Sequence, residues 1–75
     1  MTSIDPIDRR IMAFLAEQDW PVTTENVSEA CGVTWNTAQV HLLRLLSNGL
    51  VRSKRVGRQN QWMITEEGRK GLRKA

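Results

Sequence analysis

The 75 residues carry a net charge of +3, with 40% hydrophobic and 25% charged side chains, a balance that excludes a disordered chain and fits one small domain over residues 1–75. No run approaches the roughly 18 apolar residues of a membrane span, and the opening MTSIDPIDRR lacks the apolar stretch of a signal peptide, so a complete cytoplasmic protein is expected. Charge is uneven along the chain: residues 1–43 hold two basic and six acidic side chains, giving −4, and residues 44–75 hold nine and two, giving +7. A basic half of this kind suits a polyanion, or is only a solvated surface.

Taken in chain order, Asp5-Pro6 marks a helix start, a capping side chain followed by proline at the first helical position. Ile7, Ile11, Phe14 and Leu15 follow at helical spacing, which predicts one apolar face, with Met12 exposed beside it and the helix ending near Asp19. Pro21 restricts Trp20 to extended geometry, and Val22 then belongs to a short edge strand. Thr23 or Thr24 caps a second helix whose Val27, Ala30 and Cys31 face inward and which Gly32 ends as a left-handed cap. After one intervening residue, Thr34 caps a third helix over 34–48, closed by Asn48-Gly49. Two helices joined by so tight a glycine turn form a helix-turn-helix pattern.

Beyond Gly49 the apolar period changes from helical to two. Val51 and Ser53 share one face and Arg52 and Lys54 the other; Trp62 and Ile64 point inward while Gln61 and Met63 point out. With turn residues Gly57 to Asn60 between them, the two runs predict a β-hairpin over 50–65. Thr65 opens a last, short helix with Glu66 and Glu67 in its first turn and Arg73 and Lys74 in its last, matching the helix dipole.

The frame VTxxTAxxHLxxLxxNGLV from Val33 to Val51, the hairpin RxxRVGRQNQWMIT and the closing TEEGR resemble the winged helix-turn-helix of small prokaryotic transcription regulators, the MarR-like and ArsR-like group. The resemblance covers roughly residues 7–70. It implies an α+β fold with a three-helix core, a two-stranded wing and a short C-terminal helix. It also implies that the third helix enters the major groove of double-stranded DNA while the wing follows the backbone.

Residue chemistry supplies the candidate contacts. Arg52, Lys54, Arg55 and Arg58 on the hairpin can neutralise phosphates, with Gln59 beside them and Arg58 near enough to the tip to enter a minor groove. On the third helix, Ala38, Leu42 and Leu45 form the core stripe with His41 at its margin, and the opposite face carries Asn36, Gln39, Val40, Leu43 and Ser47. Asn36 and Gln39 are of the type that pairs with adenine, and Val40 can pack on a thymine methyl. Thr34 and Thr37 can donate to phosphates at the helix N-terminus, with Arg44 on the shoulder of the same face. Trp35 is expected chiefly to pack at the core edge, with base stacking as its other role; Trp20 and Trp62 are expected in the core. Val40 and Leu43 depart from the pattern of the resembling regulators, which carry polar or basic residues there. That departure leaves T-rich readout and a protein-facing surface both open.

One cysteine and one histidine cannot assemble a metal site, so neither a metal nor another cofactor is expected, and Cys31 reads as a small buried hydrophobe. No nucleophile, base and orienter group together, and phosphate-loop and dinucleotide motifs are absent, which argues against an enzyme. The expected partners are duplex DNA and a second copy of the chain, since symmetric operators favour homodimers. The other reading is a winged helix used as a protein-interaction module in a nucleic-acid-processing assembly.

Overall fold

A computed structural model describes residues 4–73. The elements are α1 (Pro6–Ala16), β1 (Val22–Thr23), α2 (Thr24–Cys31), α3 (Trp35–Ser47), β2 (Val51–Val56), β3 (Gln59–Ile64) and α4 (Glu66–Arg73). They form an α+β winged helix. Lys74, expected in the last turn of the closing helix, lies outside the described residues.

Local chemistry sets the helix ends. The Asp8 amide donates to the Asp5 carboxylate at 2.8 Å, and the Asp5 amide donates back to Asp8 at 3.4 Å, a reciprocal cap ahead of Pro6. α1 stops at Ala16, short of the expected Asp19, because the Glu17 and Gln18 amides fold back on Phe14 and Leu15 carbonyls at 3.1 Å. Thr23 caps α2 by accepting from the Asn26 amide at 3.1 Å, and Gly32 ends it at a φ of 68°, where a side chain would be strained. The buried stripe of α2 is Thr24, Val27, Ser28 and Cys31. Ala30, expected inward, is exposed, because the stripe runs through Ser28 instead.

The sheet has the order β1-β3-β2, antiparallel throughout. Trp62, at the centre of β3, pairs with Val22 on one side and Ser53 on the other. The hairpin turn is tighter than expected. Gly57 and Arg58 alone form it, while Gln59 and Asn60 already pair with Val56 and Arg55. Gly57 takes a φ of 62° and Arg58 does not go positive, which places glycine at the first central position, as a II′ turn requires.

The core gathers Ile11, Met12, Leu15, Val27, Ala38, Leu42, Leu45 and Val51 around Trp62, whose exposure is 0%. Two expectations fail here. Met12 is fully buried, because α4 packs on α1 and closes over it. Trp20 is 68% exposed; Val22, not Trp20, takes the inner position beside Trp62. Gly68 lets α4 approach so closely: a Cβ there would stand 2.6 Å from Ile64 Cγ1 and press on the Leu50 carbonyl.

Candidate nucleic-acid interface

α3 presents the residues that its wheel assigns to the outer face. Thr34, Trp35, Asn36, Val40 and Leu43 are exposed, Val40 at 62% and Leu43 at 47%, while Ala38, Leu42 and Leu45 are buried. Leu46 is exposed as well and extends Val40 and Leu43 into an aliphatic ridge at steps of three. Its spacing from Val40 and Leu43 is the sequence signal for it. Trp35, expected to pack at the core edge, is instead 51% exposed. The Thr34 hydroxyl caps the helix, accepting from the Thr37 amide at 3.2 Å and donating to Thr37 Oγ1 at 3.0 Å. The Thr37 hydroxyl keeps its own proton for an outside acceptor.

The four basic residues of the hairpin do not act as one group. Strand alternation turns Arg55 toward the helices and Arg52 and Lys54 away from them. Arg55 and Arg58 join Trp35, Gln39, Gln59 and Asn60 around a cleft of about 280 Å³ between the wing and the starts of α2 and α3. Arg52 and Lys54 instead border a depression with Pro21, Gln61 and Met63 on the outer side of the sheet. Of the sequence-predicted contacts, then, Trp35 and Gln39 of α3 share a cleft with Arg55, Arg58 and Gln59 of the wing, whereas Asn36, Thr37 and Val40 line a separate shallow depression with His41 and the base of β2 joins neither.

Gln39 is half-buried, because the floor of the cleft holds it. The Trp62 indole N–H donates to Thr24 Oγ1 at 2.9 Å, and the Thr24 hydroxyl donates to Gln39 Oε1 at 3.0 Å. No sequence spacing signals this chain, since 38 residues separate Thr24 from Trp62.

Arg44 is also engaged within the protein. Its guanidinium donates to Asp5 at 2.6 Å and to Asp8 at 2.7 Å, and His41 Nδ1 donates to the other Asp8 oxygen at 2.7 Å. Expected on the shoulder of the DNA-facing side, Arg44 instead ties α3 to the start of α1. The Asp8 amide and Arg44 hold the Asp5 carboxyl below the usual carboxylate range, and the two carboxylates raise the Arg44 guanidinium in turn. Ligand atoms of Asp5, Asp8 and His41 lie within 4.8 Å of one another, yet the Arg44 nitrogen already stands where a cation would bridge the carboxylates. Cys31 is buried as expected, and burial pushes its thiol up, away from the reactive thiolate. No described helix is long and apolar enough to cross a membrane.

No family model and no curated protein matches the chain by sequence. Solved structures match its fold. Bordetella bronchiseptica BpsR, whose DNA binding is regulated by 6-hydroxynicotinic acid, superposes with a TM-score of 0.89 at 16% identity, over 97% of this chain and 53% of that one. A MarR-family transcriptional regulator from Silicibacter pomeroyi gives 0.87 at 22% identity, over 95% and 49%. A variant of Lactococcus lactis ZitR solved in complex with DNA gives 0.77 at 24% identity, over 87% and 45%. The chain thus has the winged-helix fold of MarR-family regulators and spans about half the length of these structures.

Proposed function

We propose that this chain binds double-stranded DNA and acts as a small transcription regulator, with α3 in the major groove and the β2–β3 wing on the phosphate backbone. The observation that carries the proposal is the cleft that Arg55 and Arg58 of the wing share with Trp35 and Gln39 of α3. Two guanidiniums outnumber the one carboxylate, Glu25, on this cleft and attract phosphate, and that attraction does not depend on sequence. The ZitR structure solved with DNA supports this reading, since it shares the fold.

In this arrangement Thr34, Thr37, Arg55, Arg58 and Gln59 position the backbone. Asn36, Gln39, Val40 and Leu43 face the bases, the two aliphatics on thymine methyls. Trp35 packs on sugar at the cleft edge. Arg52 and Lys54 stand farther back on the wing and serve as long-range attraction, while Arg44 is neutralised by its carboxylates. One module this small makes few base contacts, so the working form is a homodimer on a two-fold operator. A prokaryotic regulator of this kind meets its DNA in the cytoplasm.

One observation favours a second reading, a protein-interaction module: the ridge of Val40, Leu43 and Leu46 is apolar where a DNA surface is usually polar. Leu43→Lys separates the two when duplex affinity and oligomeric mass are measured side by side. Base reading predicts that Leu43→Lys keeps its mass and loses its thymine preference. Tighter DNA binding together with loss of a dimer or partner would contradict it.

A further inference from the structure

We propose that Gln39 reads guanine in preference to adenine, because a buried hydroxyl holds its side-chain carbonyl and presents its amide nitrogen to DNA. This rests on the placement of α3 in the major groove. The chemistry begins in the core. An indole N–H can only donate, and the fully buried Trp62 gives it to Thr24 Oγ1 at 2.9 Å. Thr24 is itself 4% exposed, so its single hydroxyl proton needs a protein acceptor. Gln39 Oε1, at 3.0 Å, is the acceptor it has among the described residues. The opposite amide orientation would bring two donors onto one hydroxyl oxygen and leave the buried proton unpaired. The Gln39 Nε2 group is therefore the one turned to the cleft.

A free glutamine pairs with adenine through both its atoms, accepting from N6 and donating to N7. With its carbonyl turned into the cleft floor against the buried Thr24 hydroxyl, Gln39 presents its NH₂ group to the groove. Guanine presents two acceptors, N7 and O6, to such a donor. Adenine presents one acceptor and a donor that meets the NH₂ head on. Asn36, exposed and without a side-chain hydrogen-bond partner among the described residues, keeps both of its atoms and the adenine pairing. Two amides on one helix thus read different bases, and the difference is set from the core, by Trp62 through Thr24.

The experiment selects duplexes from a random library with the wild-type chain, locates the base position that Gln39→Ala relaxes, and repeats the measurement with Thr24→Ser and Thr24→Val. At that position the wild type prefers guanine over adenine by roughly tenfold. Thr24→Ser, which keeps the hydroxyl, retains the preference; Thr24→Val, which frees the Gln39 carbonyl, moves it toward adenine. A wild-type preference for adenine, or a guanine preference that survives Thr24→Val, overturns the inference. Should Thr24→Val fail to fold, the wild-type protein answers alone: replacing the preferred guanine with an analogue that lacks the N7 acceptor weakens binding, and unchanged affinity overturns the inference. Selected duplexes with no position sensitive to Gln39→Ala overturn it while leaving the DNA-reading function standing. Selection that yields no preferred sequence at all contradicts the placement of α3 in the groove itself.

Discussion

The Asp8 carboxylate on α1 lies 2.7 Å from an Arg44 guanidinium nitrogen on α3, although 36 residues separate them and Asp8 is only 2% exposed. With His41 on its other oxygen, Asp8 is a pin between the first and third helices. Its removal deletes the bonds to Arg44 and His41 at a buried position, and with them the 3.4 Å cap bond from the Asp5 amide, so Asp8→Ala should lower stability by about 1–3 kcal/mol. At roughly 4–8 °C per kcal/mol for a domain of this size, the loss is visible in a thermal melt. An unchanged melting temperature would show that burying the carboxylate costs as much as its bonds return.

The same cluster gives an acid limb. Asp5 is held below the ordinary carboxylate range in the folded chain, first by the Asp8 amide and then by Arg44 and His41. The folded state therefore binds that proton less readily than the unfolded one. Its contribution is fully present above about pH 4 and fades as pH falls below that value. Urea midpoints measured from neutral pH downward should fall less steeply in Asp5→Asn than in the wild type. Parallel curves would contradict the assignment.

Gly68 makes a third case. A Cβ at this position meets Ile64 Cγ1 at 2.6 Å and the Leu50 carbonyl, backbone that cannot move aside. Gly68→Ala should destabilise by about 1–3 kcal/mol, although alanine is the better helix former. Gly71, whose Cβ would meet Met12 Cε at an ordinary 3.6 Å, is the control, and Gly71→Ala should be neutral or stabilising. Equal effects in the two variants would contradict the close docking of α4.

These residues show what the sequence could carry. Caps such as Asp5, Thr34 and Gly32, and the change of period after Gly49, are local signals, and each element they delimit is present. A helical wheel, however, gives an angle about one axis and not the number of neighbours that cover it. Met12 looked exposed beside the Ile11 stripe until α4 closed over it. Trp20 looked like core by its size, but the strand that follows delivers Val22 inward. Arg44 stands on the shoulder of the DNA-facing side by its wheel position, but its two carboxylates lie 39 and 36 residues earlier in the chain, beyond the reach of any local pattern. The candidate site divides the same way. The outer row of α3 was legible from periodicity, whereas the bond from Thr24 to Gln39 follows from tertiary packing alone.

The three tryptophans test the packing directly. Trp62 has no exposed surface and anchors the centre of the sheet, so Trp62→Ala should cost about 3–5 kcal/mol and leave little folded protein. Trp20→Ala, at a ring 68% exposed, should stay within about 0.5 kcal/mol of the wild type. Denaturant midpoints decide between them, and a large loss at Trp20 would contradict the placement of that ring outside the core.

The central claim, that the wing tip and α3 share one DNA molecule, is tested most directly by the salt dependence of duplex binding. Each neutralised phosphate contributes about 0.9 to the slope of log affinity against log salt. The double variant Arg55→Ala and Arg58→Ala should weaken binding to every duplex and flatten that slope by roughly one to two units. Arg44→Ala, whose guanidinium is already paired with Asp5 and Asp8, should leave the slope as it is. A double variant with the wild-type slope would show that the wing does not touch DNA and would contradict the account.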